Sequence, residues 1–409
     1  MLAYLVAFVV AAAVTAVASY AVLRVSRRFG LAPEVRARDV HSTPTPRLGG
    51  IAMLIGLLAA FGIASTQRAF ESLFTEGTQI WALLGACAIV AAVGILDDLL
   101  DLDWMIKLAA QLAATGLLAW NGVQIVSLPF GDTLIVGSPV VNFVITVFLM
   151  TLVMNAVNFV DGLDGLVAGV AIIANSLFFI YTLLLSAQMG QVDSVTFASL
   201  IAAVVVGICA GFLPFNWHRA RMFMGDTGAL LVGLLMATST VSVTGQLNPA
   251  LLDQKLVLAA YIPIILPIAV LALPLADFSL AVIRRLKAGT SPFTADRLHL
   301  HHRLLDMGHS PVQAVLIFYL GTAVLSVAVL LVFTMQSFTL PIIVLVAGGA
   351  VCAVLLCFPL QRVRAAAAQR GLLPLTRRVH SDSAVRAADA DSQTAARPIP
   401  GRANERTPE

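Results

Sequence analysis

Residues 139–188 read PVVNFVITVFLMTLVMNAVNFVDGLDGLVAGVAIIANSLFFIYTLLLSAQ. Two apolar runs, 139–157 and 166–188, flank a short polar stretch carrying Asn155, Asn158, Asp161 and Asp164. Each run is long enough to cross a hydrocarbon core about 30 Å thick. A carboxylate at the centre of a membrane helix costs roughly 2.5–3.5 kcal/mol on insertion scales, and such groups commonly mark function. Asn155, Asn158 and Asp161 are three apart, so a continuing helix stacks them along one side. Gly162 and Gly165 then let the backbone turn closely around a ligand. The stretch reads as two membrane helices joined by a chemical site.

The rest of the chain repeats the pattern. Of 409 residues 59% are hydrophobic and 11% charged, with a mean hydropathy of +0.93. A soluble chain carries about a quarter charged residues, so most of this one belongs in lipid. Apolar runs near 2–23, 49–66, 80–96, 105–121, 139–157, 166–188, 195–215, 228–244, 256–280, 311–333 and 338–358 predict an all-α polytopic membrane protein of about eleven spans. Arg24, Arg27 and Arg28 follow the first run and no basic segment precedes it, which predicts an uncleaved first span with its N-terminus outside. On that topology all but Arg68 and Lys255 of the 25 basic residues fall on the inner side, and the C-terminus is cytoplasmic.

Within this frame, residues 122–138 read as a small outer hairpin, with Gly and Pro among Val and Ile. Run 105–121 is interrupted by Lys107 and Gln111 and is the weakest span. Pro263, Pro267 and Pro274 argue against a straight ninth helix. A membrane domain over 1–360 precedes an Arg/Ala-rich tail, 361–409, expected to be disordered on the cytoplasmic side. Cys87, Cys209, Cys352 and Cys357 lie in apolar runs without metal-ligand spacing and read as core residues. Basic residues sit in loops rather than on an aromatic-studded face, so nucleic acid is excluded as a partner.

On the predicted topology the acidic groups gather on the inner side. Asp97 and Asp98 close the third run; on a helix they point about 100° apart, so one can take a metal while the other acts as a base. Asp101 and Asp103 read as a solvated helix end, with Asp103 pairing with Lys107. Asp226 opens the eighth run after Asn216, Arg219 and Arg221, where it would serve equally well as a helix cap. The segment DRLHLHHRLLD, 296–306, forms an amphipathic interfacial helix if helical, with His299, His302 and Arg303 on one face and His301 on the other. These histidines suit phosphate or sugar oxygens better than a transition metal. HSTPTPRLGG, 41–50, offers hydroxyls and Arg47 to an anion. A carboxylate-rich pocket flanked by Arg and His suits a diphosphate held with a hard cation, for which Mg²⁺ fits best.

PTPRLGG (44–50), DD (97–98), NAVNFVDGLDGL (155–166), FMGDTG (223–228) and HLHH (299–302) together resemble the polyprenyl-phosphate N-acetylhexosamine-1-phosphate transferases. The likeness spans residues 41 to about 310. It implies transfer of a sugar-1-phosphate from a UDP-sugar to a polyprenyl phosphate, releasing UMP, on the cytoplasmic face of the plasma membrane with Mg²⁺, or Mn²⁺ in its place. Carried onto matching positions, it makes Asp97, Asp98, Asn155, Asn158, Asp161 and Asp164 catalytic, and Asp97, Asp98 and Asp226 metal-binding. Arg47, Asn216, His299, His301, His302 and Arg303 become substrate-binding. The HxHH pattern resembles the N-acetylglucosamine branch, because Leu300 interrupts the three consecutive histidines usual in the MurNAc-pentapeptide branch. Arg219-Ala220 departs from the frequent Pro-Ala and puts that loop's shape in question. Expected partners are UDP-N-acetylglucosamine, a polyprenyl phosphate (undecaprenyl or decaprenyl) and the bilayer, with a homodimer allowed. The rivals are the MurNAc-pentapeptide transferase and a secondary transporter of an anion, which would place its charges near the bilayer centre.

Overall fold

Ten of the eleven apolar runs are helices in the computed structural model, and the eleventh, 256–280, falls outside the residues it describes apart from position 265. Described are residues 1–31, 44–130, 133–189, 192–244, 307–335 and 337–357, with single positions at 265, 283, 286, 287, 289 and 304. The tail from 361 and the His299–Arg303 segment therefore lie outside the description. In chain order come α1 (Leu2–Phe29), α2 (Gly49–Ala64), a 3₁₀ turn (Arg68–Phe70), α3 (Glu71–Thr75), α4 (Gln79–Leu100) and α5 (Trp104–Trp120). Strands β1 (Ser127–Phe130) and β2 (Thr133–Val136) follow, then α6 (Pro139–Val160), α7 (Leu166–Met189), α8 (Asp193–Asn216) and α9 (Gly225–Thr244). The last two are α10 (Pro311–Met335) and α11 (Thr339–Cys357).

Among the described residues, eight helices are long and apolar enough to cross a membrane. A ninth span results if α2 and the segment Arg68–Thr75, bent by 98° from it, count together. The interrupted run is a continuous 17-residue helix, α5, started by Asp103, whose side chain accepts from the Met105 N–H at 2.8 Å. The hairpin expected within 122–138 is an antiparallel pair, with Ser127 opposite Val136 and Phe130 opposite Thr133.

α9 is the axis of the bundle. It packs on α2, α4, α6 and α8 and is buried along nearly its whole length. Its sequence explains that place: it is apolar on every side, with small residues and hydroxyls and no charge after Asp226. The hydroxyls of Thr238 and Ser242 donate to carbonyls one turn back, Leu234 at 2.8 Å and Thr238 at 2.7 Å, so burial leaves them satisfied. At its N-terminal end, glycines bring backbones together. A Cβ at Gly50 would stand 2.3 Å from the Gly228 nitrogen, and one at Gly94 would stand 2.5 Å from the Thr227 Cα. Thus α2, α4 and α9 meet at one end, where all the acidic motifs arrive. α11 touches mainly α10 and leaves most of its surface exposed, as a lipid-facing helix should.

Candidate active site

α4 stops because Asp101 takes a left-handed backbone (φ 55) and donates its N–H to the Asp97 carbonyl at 2.9 Å. That leaves Asp97 and Asp98 in the final turn, pointing in different directions with different partners. Asp98 turns to the start of α9. Its Oδ1 accepts from the Asp226 N–H at 2.9 Å, and its Oδ2 accepts from the Thr227 N–H at 3.2 Å and the Thr227 hydroxyl at 2.7 Å. A negative charge on the exposed N–H groups of a helix start is a favourable match. Gly225 makes the approach feasible: its φ is 69, and a Cβ there would stand 2.6 Å from both Asp98 oxygens.

Asp97 faces the other way. Its Oδ1 accepts from the Leu102 N–H at 2.8 Å and its Oδ2 meets the Lys107 ammonium at 3.1 Å. The same ammonium lies 3.2 Å from Asp226 Oδ2, so it bridges the Asp97 and Asp226 carboxylates. Asn158 on α6 is near enough to favour the ionised form of Asp226. The anticipated Asp103–Lys107 pair is therefore not what Lys107 makes: Asp103 is spent on capping α5, while two less exposed carboxylates draw the ammonium across.

The loop before α2 is laced to the loop before α9 by three backbone bonds. Phe223 donates to the Pro46 carbonyl at 2.8 Å, Gly49 to the Phe223 carbonyl at 3.0 Å, and Gly50 to the Met224 carbonyl at 2.9 Å. PTPRLGG and FMGDTG, separate in sequence, thus form one ribbon, which sets Arg47 near enough to stabilise the ionised form of Asp161.

The helical stack expected through Asn155, Asn158 and Asp161 ends at Val160, where Asp161 leaves the helix with ψ 58. Residues 161–165 make a tight turn closed by Gly165 at φ 75. Asp161 keeps a partial opening to solvent, but burial first, and then the charges of Asp226, Asp98 and Asp164, push its carboxyl up to about 7. Asp164 is buried; its Oδ2 accepts from the Ala220 N–H at 3.1 Å and lies 3.3 Å from His218 Nδ1. Asp97, Asp98, Asp226, Asn158, Asp161, Asp164 and Arg47 consequently converge at one end of the bundle.

Two further predicted residues are bonded to protein groups in the structure. Asn155 donates to Gln111 Oε1 and to the Thr151 carbonyl, a helix-to-helix link between α5 and α6. Asn216 is buried and joins two loops: its Oδ1 accepts from the Gly165 N–H at 2.9 Å and its Nδ2 donates to the Met222 carbonyl at 3.1 Å. His299, His301, His302 and Arg303 lie outside the described residues. Lys107, Thr227 and His218 are the residues sequence reasoning missed. A signal existed for Lys107 alone, a charge inside an otherwise apolar run.

Among the described residues, no three His, Cys, Asp or Glu side chains stand together at metal-ligand spacing. Of the expected trio, Asp98 is turned to the start of α9, while Asp97 and Asp226 meet on Lys107. Those two share one cation already, and Asp161 beside them holds a proton more tightly than usual because negative charge is in excess. Their donors are hard oxygens. Mg²⁺ commonly takes one or two carboxylates and completes its shell with water and substrate phosphate, so the donor set fits.

Residues 80–244 match the family described as Glycosyl transferase family 4. The chain is 38% identical over 319 residues to the decaprenyl-phosphate N-acetylglucosaminephosphotransferase of Mycobacterium tuberculosis (strain H37Rv), covering 77% of this chain and 79% of that protein. It is 31% identical over 332 residues to the probable undecaprenyl-phosphate N-acetylglucosaminyl 1-phosphate transferase of Bacillus subtilis (strain 168), covering 80% and 84%. With the undecaprenyl-phosphate alpha-N-acetylglucosaminyl 1-phosphate transferase of Escherichia coli (strain K12) the identity is 28% over 308 residues, covering 74% and 77%.

Proposed function

Because the chain belongs to glycosyl transferase family 4, among the polyprenyl-phosphate N-acetylglucosamine-phosphotransferases, we propose that it transfers N-acetylglucosamine-1-phosphate from UDP-N-acetylglucosamine to a polyprenyl phosphate. In this reaction an oxygen of the lipid phosphate attacks the β-phosphorus of the donor. The bond from that phosphorus to the bridging oxygen breaks, UMP leaves with the electron pair, and polyprenyl-diphospho-N-acetylglucosamine remains. It is the first lipid-linked step of a cell-envelope glycan, carried out on the cytoplasmic face of the plasma membrane.

The observation that carries this reading is the meeting of Asp97 and Asp226 on Lys107, with Asp161 and Arg47 beside them, at one end of an apolar bundle. Such an arrangement accepts a dianionic headgroup from the bilayer and a nucleotide from the aqueous side. Asp97 and Asp226 are the residues that would hold Mg²⁺, which when bound would neutralise phosphate charge that otherwise repels an anionic nucleophile. Lys107 and Arg47 supply further positive charge to the phosphates. Asp98 fixes the start of α9 and thereby the position of Asp226. Asp164, tied to the Ala220 N–H, fixes the turn that carries Asp161. The contribution of the chain is positioning and charge compensation, the main resources in phosphoryl transfer. A transporter fits less well, since the carboxylates sit at helix ends.

Membranes containing the protein, supplied with UDP-N-acetylglucosamine and undecaprenyl or decaprenyl phosphate, are expected to yield UMP and a lipid-linked product in equal amounts. Chelation with EDTA should abolish both, and Mg²⁺ or Mn²⁺ should restore them. Release of UDP, or consumption of the MurNAc-pentapeptide nucleotide in place of this donor, would overturn the assignment.

A further inference from the structure

The acidic turn 161–165 is held from both sides of a single residue. The Gly165 N–H is taken by Asn216 Oδ1, and the Gly165 carbonyl accepts a short hydrogen bond from the Tyr319 hydroxyl on α10. Tyr319 lies far along the chain, beyond the region 80–244 that matches the family, yet it reaches the turn directly. Its ring lies 6.4 Å, centroid to centroid, from that of Trp217, at the start of the loop whose Ala220 N–H and His218 hold Asp164. Gly169, one turn into α7, admits it: a Cβ there would overlap the Tyr319 hydroxyl and ring.

We propose that Tyr319 is a positioning residue, through which α10 locks the turn bearing Asp161 and Asp164 in its working shape. The proposal rests on the transferase reading only for its catalytic consequence. The physical reason for a lock is that a turn with Gly162 and Gly165 samples many backbone conformations unless both polar groups of its hinge are engaged. Asn216 engages the N–H; the carbonyl takes the Gly169 N–H at 3.0 Å from within α7, and the Tyr319 hydroxyl is the donor that ties it to α10. Gly169 is the matching concession in α7, which accepts a poorer helix former so that the phenol can approach.

Tyr319→Phe removes the hydroxyl and keeps the ring between Trp217 and Gly169. Hydrogen–deuterium exchange of the metal-free, substrate-free protein in detergent reads the lock directly. The expected result is about fivefold faster exchange across residues 161–169, with exchange in α4 and α9 unchanged and the thermal midpoint within error of the wild type. In the transferase assay kcat should fall about five- to tenfold, with a smaller change in KM for the polyprenyl phosphate. Unaltered exchange across 161–169 refutes the lock. Faster exchange with full kcat refutes a positioning role. Should the wild type fail to turn over UDP-N-acetylglucosamine, the transferase reading falls, while the exchange result still decides the lock.

Discussion

Replacing each of the adjacent aspartates in turn should separate two jobs that neighbouring positions conceal. In Asp98→Asn one carboxylate oxygen becomes an NH₂ group. Asp98 Oδ2 accepts from both the Thr227 N–H and the Thr227 hydroxyl, so the amide either faces two donors or, flipped, faces the Asp226 N–H. The Thr227 hydroxyl can rotate to accept, but one backbone N–H at the start of α9 is left without an acceptor. Loss of a helix cap costs about 1 kcal/mol, and hydrogen bonds to a charged group contribute about 1.5–3 kcal/mol, so the variant should lose about 2–4 kcal/mol. Asp97→Asn is different. Its Oδ1 keeps the Leu102 N–H, and what is lost is a charge on a half-buried lysine, costing about 1 kcal/mol or less. Thermal unfolding of the metal-free protein in detergent, followed by tryptophan fluorescence, should show a Tm several degrees lower for Asp98→Asn and nearly wild-type behaviour for Asp97→Asn. UMP release should fall by about a hundredfold or more in both, for different reasons. Equal destabilisation by the two changes, or a wild-type Tm for Asp98→Asn, would refute the division of labour.

Two further outcomes follow from the same geometry. Burial and like charge raise the Asp161 carboxyl to about 7, above its unfolded value near 4, so its contribution to stability is fully present below about pH 4 and is lost as the pH rises through about 7. Melting the metal-free wild type against Asp161→Asn between about pH 5 and about pH 8 should therefore show the larger fall in Tm with rising pH for the wild type; parallel curves would rule this out. Asn216→Ala leaves the Gly165 N–H and the Met222 carbonyl unpaired in the interior, at a cost of about 1–3 kcal/mol for each group left unsatisfied, and should lower Tm as well as activity. A wild-type melting curve with impaired donor binding would instead return Asn216 to the role of a substrate ligand.

The membrane character, ten helical runs within a few residues of their ends, and the hairpin were legible along the chain, because each depends on local quantities: the length of an apolar run, a glycine or proline at a turn. The motifs that converge at the site were legible as well, through the composition and order of short segments. What the sequence could not show is which member of each pair does what. Asp97 and Asp98 are equal in composition and separated only by the 100° step of a helix, and that step becomes a difference in role only once α9 and α5 stand on either side. Lys107 looked like a blemish in a span and Asn216 like a ligand. The first is drawn between two carboxylates from α4 and α9, and the second is enclosed where two loops cross. Tyr319 carries no local signal whatever, since a tyrosine in a membrane helix is unremarkable until a glycine on another helix makes room for it. Patterning along the chain determined the spans and the chemistry on offer. Packing in three dimensions decided the partners, because a hydrogen bond or an ion pair acts over about 3 Å, whichever segments supply its two ends.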